Sequence, residues 1–451
     1  MSAPNPLTNA ELHLHLAGSF HPEDFMALAR PFYHEINWHG RDFVTEYNRV
    51  LQSDLDPVAL FAMANGDQEV ALARLRHYYV YDQGDNGRFD RFMWKCRFFQ
   101  RVWAHGWDQD DELAQHMVQR LLRHHRQQGL DYVEYRSSFW GDARQQQRNL
   151  ARLSAQLKEA AAIGLTARLI VPLPRTNPLP DFEMLLHLLA HTPELRETIV
   201  GIDFASEEEG HPPQEKRPFF SRLRQYNQAH PERALDAVYH VGETFYDKSL
   251  ESAARWCHEA AELGAQRLGH CIALGLDPEI AVTRRPHAHE TEPVSERLDQ
   301  IAYDLRWQRE LMAYGIAVNA AQLREEQTAL RKLNGDEGVE RPYSPPRFHD
   351  IRRRQQFVLD QFTRLGTVIE CCPTSNLRIG GVPDAAHHPI HRFLDSRVNL
   401  AICTDDPGVF DITLASEIDW VLRHTGHTPA TLTRRLGNPY RFRLGQSKQV
   451  S

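Results

Sequence analysis

The chain has 451 residues, 41% hydrophobic and 25% charged, with 52 Lys+Arg against 60 Asp+Glu for a formal net charge of −8. That is more than the roughly 250 residues of a minimal (β/α)8 barrel, and the two charge signs are interspersed, which argues against a long nucleic-acid partner. No apolar run approaches the ~20 residues that cross a membrane, and no basic-then-apolar leader opens the sequence, so a cytoplasmic protein without membrane contact is expected.

The first predicted strand, residues 11–16, reads Glu-Leu-His-Leu-His-Leu. Alternate side chains share a face, so His13 and His15 point one way and Leu12, Leu14 and Leu16 the other. Two neutral imidazoles side by side suit a transition metal; a half-exposed strand that happens to carry histidine is the alternative. His287 and His289 have the same spacing, but sit among Arg, Pro and Glu in a predicted loop and read as solvated. More than a hundred residues separate this strand from the next. They are rich in aromatics around 89–103 and are predicted to form a helical insertion at about 30–125.

Further strands are predicted at 132–136, 166–172, 198–204, 235–240 and 266–270. Between them Leu150, Leu153 and Leu157 recur at helical spacing before Gly164, and a helix over about 249–263 stops at Gly264. A second insertion, about 276–362, is dense in Arg and Glu with proline-rich ends. Its middle, 297–333, reads as one or two amphipathic helices, too polar for a core. Strands at 367–372 and 399–404 make eight. Strands alternating with helices predict a parallel sheet. The expectation is one α/β domain over 1–451, a (β/α)8 TIM barrel with extra helical insertions, with an open doubly wound sheet as the alternative. Six cysteines without CxxC spacing read as reduced packing thiols.

Polar residues fall at the predicted strand ends: His240 with Glu243 just beyond it, then His270, then Asp405 and Asp406. Catalytic groups in such barrels gather at the C-terminal ends of strands, and packing alone would not place carboxylates there. At this point His13-Leu-His15-Leu, His240-Val-Gly-Glu243, Arg267-Leu-Gly-His270, Cys372-Pro-Thr-Ser-Asn376 and Thr404-Asp-Asp-Pro-Gly-Val-Phe410 resemble the ordered motifs of the adenosine deaminase family. Tyr132-Val-Glu-Tyr-Arg136, Gly201-Ile-Asp-Phe-Ala205 and His388-Pro-Ile390 match its weaker elements.

The resemblance implies that His13, His15, His240 and Asp405 hold one Zn²⁺ per chain, which lowers the pKa of water to about 7. It implies that His270 and Asp405 orient that water and take its proton, that Glu243 protonates a ring nitrogen, and that Asp406 fixes the opposite purine edge. Ala17, Gly18 and Ser206 would face the substrate. Two positions depart from the family. Ala17 replaces the usual aspartate that binds ribose, and Ser206 replaces the usual glycine. The expected activity is hydrolytic deamination of adenosine, deoxyadenosine, or a modified or phosphorylated relative, to the 6-oxo purine and ammonia. Ser19, Arg136 or Arg175 are candidates to meet a phosphate. A pterin or pyrimidine aminohydrolase is the alternative enzyme. An assembly or binding protein on a deaminase barrel is the alternative of another class; in either case the insertions are expected to build subunit contacts of a homo-oligomer or a lid.

Overall fold

The computed structural model describes residues 6–139, 141–284 and 291–445. Ten strands occur among them: β1 Ala10–His15, β2 Tyr132–Arg136, β3 Thr166–Pro172, β4 Ile199–Asp203, β5 Asp236–Val241, β6 Arg267–His270, β7 Thr291–Pro293, β8 Gly338–Glu340, β9 Val368–Cys371 and β10 Asn399–Ile402. Eight form one parallel sheet in the order β1-β2-β3-β4-β5-β6-β9-β10. Just past β10 the ring closes on β1: the Asp405 N–H donates to the His13 carbonyl at 3.0 Å and the His15 N–H to the Asp405 carbonyl at 2.9 Å. These are the eight predicted strands, with ends shifted by at most two residues.

Helix punctuation follows side-chain chemistry. The Ser249 hydroxyl caps the helix Leu250–Leu263 by accepting the Ser252 N–H at 3.2 Å, and Gly264 ends it at φ +119°. Gly164 closes the preceding αβ connection at φ +74°.

Strand β1 departs from simple alternation. Glu11 pairs with Val133 and Leu14 with Tyr135, so Leu12 and His13 together oppose one residue of β2. This bulge reassigns Leu12, expected beside Leu14 and Leu16. Leu12 instead packs with Ala10, Tyr132, Val368, Ala401 and Cys403, while Leu14 and Leu16 join the larger core. An extra residue in one strand flips the alternation. Buried Glu11 holds the bulge: its carboxylate accepts the His13 N–H at 3.1 Å and the Thr404 hydroxyl at 2.9 Å.

The stretch between β1 and β2 is helical, as expected, with helices at Pro22–Ala29, Phe43–Leu51, Pro57–Met63, Gln68–Tyr79, Phe89–Gln109 and Asp111–Gln127. Its aromatics reach the end of β1, where Phe99 stacks on Phe20 at 4.5 Å. The stretch between β6 and β9 holds the antiparallel β7–β8 pair and the helices Val294–Arg306, Gln308–Ala313, Ala320–Leu330 and Pro345–Leu365. The polar sequence of this stretch suggested a lid or subunit contact. The structure lays it along the outside of the barrel, where Val294–Arg306 and Pro345–Leu365 bury the helix Leu250–Leu263 on nearly every side. Several of its charges pair with that helix or with one another: Glu296 with Arg255, Arg347 and Arg341 with Glu251, and Arg297 with Glu326. His287 and His289 lie outside the described residues. Five of the six cysteines are buried and none is bonded to another. Among the described residues no helix is long and apolar enough to cross a membrane.

Candidate active site

The C-terminal ends of β1, β5, β6 and β10 bring their polar residues to one point. Ligand-capable atoms of His13, His240, His270 and Asp405 lie within 4.8 Å of one another, as do those of His15, Asp405 and Asp406. The His15 Nε2 is 3.3 Å from the His240 Nε2 and 3.2 Å from an Asp405 oxygen, which is also 3.3 Å from the His13 Nε2. Local backbone makes this convergence. His270 and Asp405 adopt φ of +65° and +68°, turning their side chains off the strand direction and over the barrel mouth. Gly269 leaves the room, since a Cβ there would stand 2.9 Å from the His13 ring.

Each ring is aimed by a second residue. Glu370 on β9 accepts from the His13 Nδ1 at 2.7 Å, and Asp203 on β4 meets the His240 Nδ1 at 3.0 Å. The Asn376 side-chain oxygen is 3.0 Å from the His270 Nδ1, and the Ser375 hydroxyl donates to Asp405 at 2.8 Å. Beneath them Arg136 donates to both Asp203 and Glu370 at 2.7 Å, while Arg267 donates to Glu134 and forms an ion pair with Glu370 at 2.6 Å. With each Nδ1 so held, the Nε2 atoms face the common centre, and the buried His13 Nε2 has no hydrogen-bond partner.

A family model described as adenosine deaminase matches residues 97–295 and 349–441, more than half of the sequence. The chain belongs to the adenosine deaminase family. The unmatched residues 296–348 cover most of the charged addition between β6 and β9. Aminodeoxyfutalosine deaminase of Acidothermus cellulolyticus is 37% identical over 101 residues, 22% of this chain and 25% of that protein, so the chain spans about a quarter of that curated relative. The adenine deaminase from Arthrobacter aurescens is similar in structure at 18% identity and a TM-score of 0.54, covering 98% of this chain and 94% of that one. An Arabidopsis ADAL complexed with GMP is similar at 13% identity and a TM-score of 0.55, with coverages of 98% and 94%. At such identities the structural likeness is one of fold.

The electrostatics of this adenosine deaminase family site sort its groups. Burial, reinforced by Arg136, lowers the His13 pKa, and burial takes His240 down to about 3, so both rings are neutral as metal ligation requires. His15 goes the other way, to about 9, because the Asp406 and Asp405 carboxylates outweigh its burial. Burial pushes Glu243 up to about 7, and burial together with Asp405 pushes Asp406 to about 8. The His270 Nε2 is 3.6 Å from Glu243.

The substrate-facing expectations fare unevenly. The strand ends at His15, so Ala17 is not its next inward position; it opens a 3-10 turn, Ala17–Ser19, and is half-buried. Gly18 in that turn lies directly against the Asp406 carboxylate, with which a Cβ would overlap. Ser206 is exposed at φ +67°, a conformation that explains a usual glycine there. The three phosphate candidates are committed elsewhere. The Ser19 hydroxyl donates to the His15 carbonyl at 2.7 Å, Arg136 is buried on its two carboxylates, and Arg175 donates to the carbonyls of Ala205 and His240 at 3.0 and 2.8 Å. Sequence reasoning gave Glu370, Glu134 and Glu11 no role. The available signal was a carboxylate inside an otherwise apolar strand, which must have a buried partner.

Proposed function

We propose that this chain catalyses zinc-dependent hydrolytic deamination of an adenine-type base, free or carried by an uncharged nucleoside. The observation that carries the reading is the convergence of the His13, His240, His270 and Asp405 ligand atoms beside a carboxyl, Glu243, held protonated near neutrality. The donor set of imidazoles and one carboxylate, with an orphaned His13 Nε2 at its centre, fits zinc and not an all-oxygen calcium or magnesium cage. His13, His15, His240 and Asp405 would hold the ion. Bound there, zinc supplies Lewis acidity that makes water a nucleophile near neutral pH.

The rest is done by the chain. Glu243 donates its proton to the ring nitrogen next to the amine-bearing carbon, making that carbon electrophilic as the water oxygen adds. Asp405 and His270 accept the water proton, which then passes to the amine. As the C–N bond breaks, the remaining hydroxyl proton returns to Glu243, the oxygen becomes the 6-oxo group and ammonia leaves. Asp406 fixes the far edge of the ring by a hydrogen bond. The mouth is acidic. Glu207, Glu208 and Glu209 follow β4, and Asp247 lies just after Glu243. Glu208 accepts the Glu243 N–H at 3.2 Å. Arg136 is held by two carboxylates and Lys248 by Asp247 at 2.5 Å, so a phosphate would meet the like charge of Glu207 and Glu209, which favours adenine or adenosine over a nucleotide.

The test is ammonia release from adenine, adenosine, deoxyadenosine, AMP and N6-substituted relatives, with a pterin and a pyrimidine amine alongside, before and after chelation. Turnover of an adenine compound that is lost on chelation and restored by zinc is expected. Turnover confined to the pterin or pyrimidine, or unaffected by chelation with full loss of metal, overturns it.

A further inference from the structure

At the end of the barrel opposite the catalytic mouth lies a cavity of about 380 Å³. It is built from the starts of β2, β3 and β4, the residues just before β5, and the C-terminal segment that runs under the barrel. That segment forms part of the wall because it is pinned: Leu444 packs among Ile170, Val200 and Val238, and its N–H donates to Glu134 at 2.7 Å.

Four arginines line this space: Arg168, Arg196, Arg233 and Arg443. The charges of Arg168 and Arg196 are not cancelled within it. Arg168 and Arg196 donate to main-chain carbonyls, of Ala167 and Leu189, and the buried Arg196 Nε has no hydrogen-bond partner. Arg443 lies over the Tyr440 ring at 4.1 Å and donates to the Tyr440 carbonyl at 3.2 Å. The two carboxylates that border the cavity are exposed and already paired, Glu232 with Arg233 at 2.9 Å and Glu197 with Lys158 at 3.1 Å. Guanidinium groups half-buried in a concave space, with donors left over, are suited to bidentate recognition of phosphoryl oxygens. The volume falls within the range of small-molecule sites, about 300–1,000 Å³. In these barrels the N-terminal face normally serves stability and catalysis sits at the other end, so a charged cavity here has no part in the deamination.

We propose that this cavity is a second binding site, for a small phosphorylated molecule, on the barrel floor. A phosphoryl group bridges Arg168 and Arg196, with Arg443 and Tyr440 beside it. Occupancy ties the C-terminal segment to β3 and to the residues just before β4, and therefore stabilises the fold by mass action.

The experiment titrates the zinc-loaded full chain with inorganic phosphate, pyrophosphate, AMP and adenosine, reading melting temperature and calorimetric heat at low and high salt. Phosphate, pyrophosphate or AMP should raise the melting temperature, less so at high salt. In Arg168→Gln/Arg196→Gln the dissociation constant should rise at least tenfold, which is about 1.4 kcal/mol, with deamination of adenosine unchanged. Thr166→Glu, which keeps every arginine and puts a negative charge on the wall, should do the same and guards against misfolding of the double variant. Equal response to phosphate and AMP assigns phosphoryl recognition alone, and a stronger response to AMP assigns a nucleotide. No response to any of the three anions at millimolar concentration overturns the proposal. So does binding that both variants leave intact, which places the anion at the catalytic mouth.

Discussion

Gly18 touches the Asp406 carboxylate with no space between, which makes its missing side chain a determinant of the site. Gly18→Ala should push that carboxylate aside while leaving every proposed zinc ligand in place. A displacement of about 1 Å at a positioning group can cost about 10²-fold, so kcat/KM should fall by that order with zinc content unchanged. Kinetics beside elemental analysis separate the two effects; joint loss of metal and activity would mean that Gly18 supports the ligands instead. In the proposed reaction Glu243 delivers a proton, which an amide cannot do. Glu243→Gln should therefore retain zinc and substrate binding and lose kcat by about 10²–10⁴-fold. A variant that turns over like the parent would move the acid role to another group.

Among the elements, the helix Leu250–Leu263 is the one whose surroundings most exceed the minimal barrel. Trp256 donates to Glu296 at 3.1 Å, and Arg255 pairs with Glu296 in the added helix Val294–Arg306. Replacing residues 294–344 with a short linker would strand Arg255 with half its partners and expose Trp256. The melting temperature should drop by well over ten degrees or the protein should become insoluble, and a melt unchanged within error would show the addition to be dispensable. Glu251 on the same helix accepts two hydrogen bonds from Arg347, at 2.8 and 2.9 Å. Although burial opposes it, Arg347 and Arg341 take its pKa from 4.5 to about 2. A folded value below the unfolded one stabilises the protein above about pH 4.5, and that stability drains away as the pH falls towards 2. Glu251→Gln should cost on the order of 3 kcal/mol at pH 7, with the gap to the parent narrowing at pH 3. Urea melts at both pH values measure it, and a gap that widens in acid would contradict the pairing.

Across the whole molecule one buried polar chain joins the barrel's two ends. It runs from the Leu444 N–H to Glu134, on to Arg267 and Glu370, and ends at the His13 Nδ1. Its charges are fixed by mutual pairing, so the metal-facing ring is held by groups anchored to the barrel floor. Leu444→Ala should cost about 2–5 kcal/mol, as expected for a buried leucine. Because the N–H of residue 444 remains, zinc content should stay near one per chain. Denaturant unfolding and metal analysis on the same preparation check both halves; loss of zinc with little loss of stability would mean that the segment matters through the polar chain and not through packing.

The sequence by itself determined the barrel and the polar groups that converge at its mouth. Strand periodicity placed all eight strands of the ring, and the His13/His15 pair, His240, Glu243, His270, Asp405 and Asp406 stood out because polar residues at strand ends have no packing reason to be there. It also marked Gly164 and Gly264 as helix stops. What only the tertiary structure decided were relations between distant residues. The β1 bulge that turns Leu12 inward depends on pairing with β2, 120 residues away. Glu370 and Asp203 became imidazole holders only once β9 and β4 lay beside β1 and β5. The charged addition, polar in sequence as a surface would be, lies against a barrel helix because its charges find partners there, and pairing of that kind leaves no periodic trace. The 3-10 turn after His15 is of the same kind: there the chain leaves the strand and Gly18 meets Asp406, a contact between residues nearly four hundred positions apart.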